Sequence, residues 1–201
     1  MLLVALTGGV GAGKSTVAAM LGERGAVVVE ADDLARRAVE PGSPGLVKVL
    51  DEFGPDMAED DGSLDRAKLA ARVFGDPDAR RLLEAIVHPE VARLFAAEVE
   101  RRRDTDEIVV YAIPLLVERG LAGAFDVVVT VAAGEDARAA RVAAQGRMTA
   151  DEARRRMGAQ ASDEERAAVA DIVIDNHGSV EDLSRSVDLV WQELRTRNDR
   201  G

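Results

Sequence analysis

The stretch GGVGAGKST at residues 8–16 constrains this 201-residue chain more than any other segment. It follows an apolar run, precedes a helix-favouring stretch, and matches the pattern G-x-x-x-x-G-K-[ST] at Gly8, Gly13, Lys14 and Ser15. Glycines let successive backbone N–H groups turn toward an anion, and the dipole of the following helix adds to the attraction. A flexible turn with a surface lysine is disfavoured, because the chain has only three lysines. The segment is therefore predicted to bind phosphate.

Short β-branched runs alternate with helical patterns along the chain. None of them shows the apolar/polar alternation of a half-exposed strand, so each is predicted to be buried on both faces. Such strands, separated by helices, predict a fold of class α/β with a five-stranded parallel sheet flanked by helices. The five runs are LLVAL (2–6), AVVVE (26–30), EIVVYAI (107–113), DVVVTV (126–131) and DIVIDN (171–176).

Two long segments lack a comparable strand run and are predicted to be helical. Residues 41–104 are expected to form a helical subdomain, and residues 134–168, rich in Ala, Arg and Glu, a second helical excursion. The last helix carries apolar residues at helical spacing between Val180 and Leu194, which predicts that it packs on the sheet.

Composition restricts the partners that can be expected. The formal net charge is −11 and the pI is near 4.7, so general binding of nucleic acid is not expected. No apolar run is long enough to span a bilayer, and no membrane partner is expected. The absence of cysteine and of a basic signal-peptide region favours a cytoplasmic protein. We expect a monomer or a weak homo-oligomer.

The phosphate loop alone does not separate switches, motors and kinases. A GTP-binding switch would add N-K-x-D, but neither Asn176 nor Asn198 precedes a lysine. DEFG at 51–54 matches D-x-x-G only within a helical pattern. The acidic strand end VVVEADD at 27–33 follows directly after the first helix, a position that favours small kinases. A kinase is therefore favoured over a nucleotide-dependent switch that binds a partner protein.

Asp32 is the most informative carboxylate. It would lie at the carboxyl end of the second predicted strand, where open α/β sheets bind their ligands. There it could orient an acceptor hydroxyl and take its proton during transfer. The residues alone leave this role and an N-cap of the following helix equally open. The neighbours Glu30 and Asp33 have weaker claims.

Three further side chains are candidates. Arg138 and Arg141 share a face of a predicted helix and could close over ATP, neutralising charge on the transferred phosphoryl group. The alternative for each is a solvated helix surface paired with acids. His88 precedes Pro89 at a predicted helix start, where capping competes with ligand contact. Two distant histidines give no support for a metal site.

Over nearly its whole length the sequence resembles dephospho-CoA kinases. The resemblance rests on an ordered set of motifs: ALTGGVGAGKSTVA (5–18), EADDLAR (30–36), VEPGSPG (39–45), HPEV (88–91), PLLVE (114–118), RMGAQAS (156–162) and ADIVIDNHGS (170–179). It implies ATP-dependent phosphorylation of the ribose 3′-hydroxyl of dephospho-CoA, giving CoA and ADP, with ATP and Mg²⁺ as cofactors. It also implies a P-loop NTPase core (1–39, 105–133 and 169–201), a helical acceptor-binding subdomain (40–104) and a helical lid (134–168).

The loop pattern and the resemblance together assign roles to residues. The pattern predicts that Lys14 reaches the β- and γ-phosphates and that the Ser15 hydroxyl ligates Mg²⁺. The resemblance implies that Asp32 is the base or hydroxyl-orienting group and that Arg141 contacts phosphate from the lid. The expected nucleotide-binding residues are Gly8, Gly9, Val10, Gly11, Ala12, Gly13, Lys14, Ser15, Thr16 and, near the base, Asn176.

The sequence departs from the family pattern in two places. Glu30 stands where the family often has Asp, and Gln145 where the lid often has a second arginine. Arg147 could replace that arginine, or Arg141 could act alone. A kinase for a nucleoside or another small metabolite on the same scaffold stays open, because periodicity does not reveal the acceptor pocket.

Overall fold

The computed structural model describes residues 1–144, 146 and 148–200. Among these residues, five parallel strands form one sheet in the order β2-β3-β1-β4-β5. The predicted α/β fold class is confirmed, and each predicted strand agrees with an observed one to within two residues at either end. The strands are β1 (Leu2–Gly8), β2 (Val27–Glu30), β3 (Ile108–Ala112), β4 (Val127–Ala132) and β5 (Ile172–Asp175).

Helices connect the strands, and polar caps define where several of them begin. A side-chain oxygen of the residue before the helix accepts a backbone N–H in α3, α4, α5, α7, α8 and α9, which satisfies a donor that the first turn would otherwise leave unpaired. The helices are α1 (Lys14–Glu23), α2 (Ala31–Arg37), α3 (Pro44–Phe53), α4 (Arg66–Val73), α5 (Pro77–Glu100), α6 (Glu135–Ala144), α7 (Ala150–Gly158), α8 (Asp163–Val169) and α9 (Val180–Asn198).

The prediction of a helix start at Pro89 is wrong. Pro89 lies inside α5, a 24-residue helix that begins at Pro77 instead. Its N-cap is Asp76, whose carboxylate accepts the backbone N–H groups of Asp78 and Ala79 at 3.1 and 3.0 Å. An interior proline costs a helix about 3 kcal/mol, and the packing of α5 against α2, α3 and α4 offsets that cost.

The chain divides into two compact units, residues 1–30 with 104–201 and residues 31–103. The first unit holds the whole sheet, and its core lies between the sheet and helices α1 and α9. Val4 and Leu6 of β1, Leu21 of α1 and Leu194 of α9 are fully buried in that core. A smaller apolar cluster joins α6 to α7 in the same unit.

The second unit, residues 31–103, is helical. Its own core is formed by residues from α3, α4 and the segments beside them: Val39, Leu46, Val49, Met57, Leu64 and Leu69. The division into core, acceptor-binding subdomain and lid stays a prediction. Across the described part of the chain, no helix combines the length and the apolar character that crossing a bilayer requires.

We expect Leu194→Ala to lower the free energy of unfolding by about 2–5 kcal/mol, because it removes a fully buried side chain from the core between α9 and the sheet. Leu189→Ala on the same helix is the matched control. Leu189 is 68% exposed, so its removal should change stability by less than about 0.5 kcal/mol. Urea denaturation followed by circular dichroism measures both variants, and equal losses would contradict the packing of α9 through Leu194.

Candidate active site

The loop between β1 and α1 carries the phosphate-binding pattern. It leaves the sheet at the carboxyl end of β1, which lies between β3 and β4, the place where open α/β sheets bind ligands. Gly11 and Gly13 have φ angles of 75° and 101°. Residues with a Cβ rarely adopt such angles, so the turn of the loop needs glycine at both positions. The strand, loop and helix that the pattern requires are therefore present.

A cavity of about 570 Å³ opens beside this loop. Its wall joins the loop to Pro114 after β3, to α6, to the segments around α7 and to the start of α9. Every residue of the predicted nucleotide-binding set lines it except Ala12, which is fully buried. The lining residues are Gly8, Gly9, Val10, Gly11, Gly13, Lys14, Ser15, Thr16, Pro114, Arg141, Val142, Ala144, Met148, Gln160, Asn176, Gly178, Val180 and Leu183.

The wall of the cavity has the opposite charge from the chain as a whole. Lys14 and Arg141 both line it, and none of the described lining residues carries a carboxylate. Lys14 is also the first residue of α1, so its charge adds to the partial positive charge of the helix N-terminus. In a chain with a net charge of −11, this local reversal suits the cavity to an anionic ligand.

Asn176 and Arg141 hold the loop from the segment after β5 and from α6. Asn176 is 7% exposed, and its Nδ2 donates to the Ala12 carbonyl oxygen at 2.7 Å. Arg141 Nη2 donates to the Asn176 carbonyl oxygen at 2.8 Å. The Nη1 of Arg141 is buried and has no hydrogen-bond partner among the described residues. Arg141 also lines the cavity, so its guanidinium is a candidate partner for an anion there.

Arg138 does not occupy the solvated helix surface that was its alternative. It is 8% exposed, and its Nη1 donates to Asp163 Oδ1 at 2.9 Å. Sequence reasoning missed two further residues beside the loop, Gln160 and the buried Arg166. Gln160 Oε1 accepts the backbone N–H of Val10 at 3.1 Å. Gln160 belongs to the motif RMGAQAS, which was the one signal in the sequence that could have indicated it.

The positions of Asp32 and Glu30 follow from the helix and the strand that contain them. Asp32 is the second residue of α2 and is exposed, so it lies inside the first turn rather than at the N-cap. It belongs to the second unit, residues 31–103. Glu30 is the half-buried last residue of β2. Gln145 and Arg147 lie outside the described residues, so the choice between Arg147 and Arg141 acting alone stays a prediction.

The donor set fits a magnesium ion that is held mainly by phosphate. Ser15 is exposed in the first turn of α1, and a hydroxyl oxygen is a ligand of the kind Mg²⁺ accepts. No group of three or more His, Asp or Glu side chains that could hold a metal exists within the described residues. Mg²⁺ commonly keeps several waters and is bound largely through substrate phosphates, so the Ser15 hydroxyl would be one ligand among several.

The chain is similar to one enzyme family over most of its length. The sequence model of the dephospho-CoA kinase family matches residues 2–182. A dephospho-CoA kinase of Streptomyces avermitilis is 48% identical over 194 residues, which cover 96% of this chain and 94% of the relative. The crystal structure of TT1252 from Thermus thermophilus has a TM-score of 0.79 at 39% identity, covering 96% and 97% of the two chains. Dephospho-CoA kinase from Campylobacter jejuni shares the fold, with a TM-score of 0.75 at 22% identity over 97% and 98%.

We expect Asn176→Ala to weaken the binding of ATP and of GTP by the same factor, about tenfold, because the Asn176 amide holds the loop that is predicted to bind the phosphates. Asn198→Ala is the matched control: its Nδ2 donates to the Asp106 carbonyl at 2.8 Å, away from the loop. Calorimetric titration with non-hydrolysable analogues measures both affinities. A loss confined to ATP would show that Asn176 contacts the base instead.

Proposed function

This chain belongs to the dephospho-CoA kinase family, and we propose that it phosphorylates the ribose 3′-hydroxyl of dephospho-CoA with ATP bound in the cavity beside residues 8–16. The products are CoA and ADP, and the reaction is the last step of CoA biosynthesis. The proposal depends on one observation: the wall of that cavity is cationic, and its described lining residues include no carboxylate. The absence of cysteine supports a cytoplasmic site of action.

The loop and Lys14 are proposed to hold the triphosphate of ATP. In phosphoryl transfer the charge spreads over the oxygens of the transferred group, so fixed donors and cations lower the barrier without covalent chemistry. The backbone N–H groups of residues 8–16 and the Lys14 ammonium are such donors, and the N-terminus of α1 reinforces them. A magnesium ion held at Ser15 would supply further neutralisation of the phosphate charge.

Arg141 is proposed to contact the phosphates from α6. Its Nη2 is held by the Asn176 carbonyl, which fixes the direction of the guanidinium, while its buried Nη1 has no partner among the described residues. A guanidinium suits phosphate because its N–H groups form a rigid fork that matches two oxygens. Residues 134–168 would act as a lid that excludes water, so that the alcohol rather than water receives the phosphoryl group.

Asp32 is proposed to orient the 3′-hydroxyl and to accept its proton. Three observations support this role: the exposed carboxylate, its place directly after β2 in the chain, and the acidic motif EADDLAR that contains it. A carboxylate within hydrogen-bonding reach of the attacking hydroxyl increases its nucleophilicity as the proton leaves. Glu30 stays a weaker candidate at the end of β2.

The helical unit of residues 31–103 is proposed to bind the acceptor. It contains a cavity of about 270 Å³ whose wall is apolar except for one arginine. Arg66 lies on that wall, and its Nη2 donates to the Arg36 carbonyl oxygen at 3.3 Å. An apolar cavity beside a cation suits a ligand that is part uncharged chain and part diphosphate, as dephospho-CoA is. The lining residues are Ala35, Val39, Leu64, Arg66, Leu69, Ala70, Val73, Leu83 and Val87.

The direct test is an assay of purified protein with ATP, Mg²⁺ and dephospho-CoA. We expect CoA to form with the new phosphate on the 3′ position, identified by mass spectrometry and phosphorus NMR. Lys14→Ala should lower kcat/KM by more than about a hundredfold, because the developing charge loses a fixed cation. Transfer to a nucleoside, with dephospho-CoA left unchanged, would overturn the proposed acceptor.

We expect Asp32→Asn to lower kcat by about a hundredfold or more while the Kd for ATP changes less than about twofold, because the amide keeps the shape of the side chain but cannot take the proton. Asp33→Asn is the matched control in the same helical turn; Asp33 pairs with Arg36 and should be replaceable with little loss of rate. Steady-state kinetics and calorimetry measure the two quantities. A near-normal kcat for Asp32→Asn would remove Asp32 from the mechanism.

A further inference from the structure

Four charged side chains beside the loop, two of them buried arginines, form a cluster that the mechanism above does not use. We call Arg138, Asp163, Arg166 and Glu118 the Arg138 cluster. Asp163 Oδ1 accepts from Arg138 Nη1 at 2.9 Å and from Arg166 Nη1 at 3.3 Å, and Glu118 Oε1 accepts from Arg166 Nη2 at 3.5 Å. The two arginines are only 8% and 1% exposed. Two buried guanidinium groups are therefore held by carboxylates that keep part of their surface in water.

The cluster lies directly against Gly9 of the loop. A Cβ built on Gly9 would overlap Arg138 Nη1, and it would lie 3.2 Å from both Arg138 Cζ and Arg166 Nη1. Gly9 is not one of the described glycines with a positive φ, so its backbone conformation would accept another residue. A side chain at this position would therefore meet the two guanidinium groups and not the backbone of a neighbouring element.

The neighbouring loop residues are held by the same segments. Gln160, between α7 and α8, accepts the N–H of Val10 at 3.1 Å. A Cβ on Gly11 would lie 2.6 Å from the carbonyl oxygen of Arg138, so the backbone of α6 also packs against the loop. Three consecutive loop residues are thus in contact with α6 or with the segment that leads into α8.

The energetics of the cluster favour a positioning role over a stabilising one. Taking a guanidinium out of water can cost more free energy than its ion pair returns, so ion pairs that bury an arginine are weak sources of stability. The Nε atoms of Arg138 and Arg166 are buried without a hydrogen-bond partner among the described residues, which adds to that cost. Such a cluster does, however, fix the geometry of whatever packs on it.

We propose that Arg138 and Arg166, held by Asp163, are positioning residues that set the path of Gly9 and Val10 and so direct the loop N–H groups at the phosphates. The inference rests on the proposed function, because it concerns the binding of ATP by this loop. Neither arginine is among the described residues lining the cavity, so the effect passes through the loop. Small misplacements of groups that hold a reacting phosphate can cost up to about a hundredfold in rate.

A double-mutant cycle with Gly9→Ala and Arg138→Ala tests the contact. Gly9→Ala alone should raise the KM for ATP by about tenfold, because the new methyl group displaces the Arg138 guanidinium. In the Arg138→Ala background the same change should cost less than about threefold, since the overlapping atoms are gone. The KM for dephospho-CoA should stay within about twofold in all variants. The same rise in the KM for ATP on Gly9→Ala in both backgrounds would overturn the inference. Glycine would then be needed only for the close approach of the phosphates.

Asp163→Asn provides a second test that does not alter either arginine or the loop. Asp163 is partly exposed, so the variant should fold, yet it no longer offers the charge that holds both guanidiniums. We expect its Kd for a non-hydrolysable ATP analogue, measured by calorimetry, to rise by about fivefold. Arg154→Met is the matched control: Arg154 of α7 pairs with the exposed carboxylates of Asp136 in α6 and Asp151 in α7, and its replacement should leave the Kd unchanged. An unchanged Kd for Asp163→Asn would also overturn the inference.

The two readouts separate this inference from the proposed function. Calorimetry with the ATP analogue needs no acceptor, so the cluster can be tested even if dephospho-CoA proves not to be the substrate. Conversely, the wild-type protein could make CoA while the double-mutant cycle is additive and Asp163→Asn binds the ATP analogue normally. That combination would support the proposed function and rule out only the positioning role. Circular dichroism and urea denaturation of each variant confirm that a loss of binding is not a loss of fold.

Discussion

A loop that must offer its backbone N–H groups to phosphate cannot use its own side chains to hold its shape. This constraint governs the first structural unit. Glycine at positions 11 and 13 permits the turn, but it also leaves the loop without Cβ atoms that would pack. The surroundings therefore supply the rigidity. β1 and α1 fix the two ends, the Asn176 amide holds the Ala12 carbonyl, and Gln160 holds the N–H of Val10. Phosphate binding is thus a property of the packed neighbours as much as of the motif.

The same constraint explains how an acidic protein can bind an acidic ligand. The overall field of a chain with net charge −11 repels a triphosphate, so attraction has to be short-range. The cavity offers Lys14, Arg141 and a helix N-terminus for such attraction, while the described lining residues include no carboxylate. Nearby acids are present, but they are paired with arginines: Asp163 accepts from Arg138 and Arg166. Neutralised in this way, they do not oppose the ligand.

The sequence was sufficient for the sheet and the loop because both depend on local patterns. Buried parallel strands need continuous β-branched runs, and a phosphate loop needs glycine and lysine at fixed spacing. It was insufficient where tertiary packing decides. Pro89 was expected to begin a helix, but helix contacts carry α5 through it. Arg138 was a candidate either for closing over ATP or for a solvated helix surface. Its burial depends on a partner, Asp163, which is 25 residues away in the chain. The proton-accepting role of Asp32 is not local either, and it stays a prediction.

The central position of β1 affects the order in which parts of the protein unfold. β1 has a hydrogen-bonded neighbour on each side, and its side chains are almost entirely buried, so its amides should be among the last to exchange with solvent. The short helices α7 and α8 have nine and seven residues and depend on their packing for stability. On heating, α7 and α8 should therefore unfold before β1. A partly unfolded molecule would keep an ordered strand leading into the loop after the contacts from Gln160 and Arg166 had been lost.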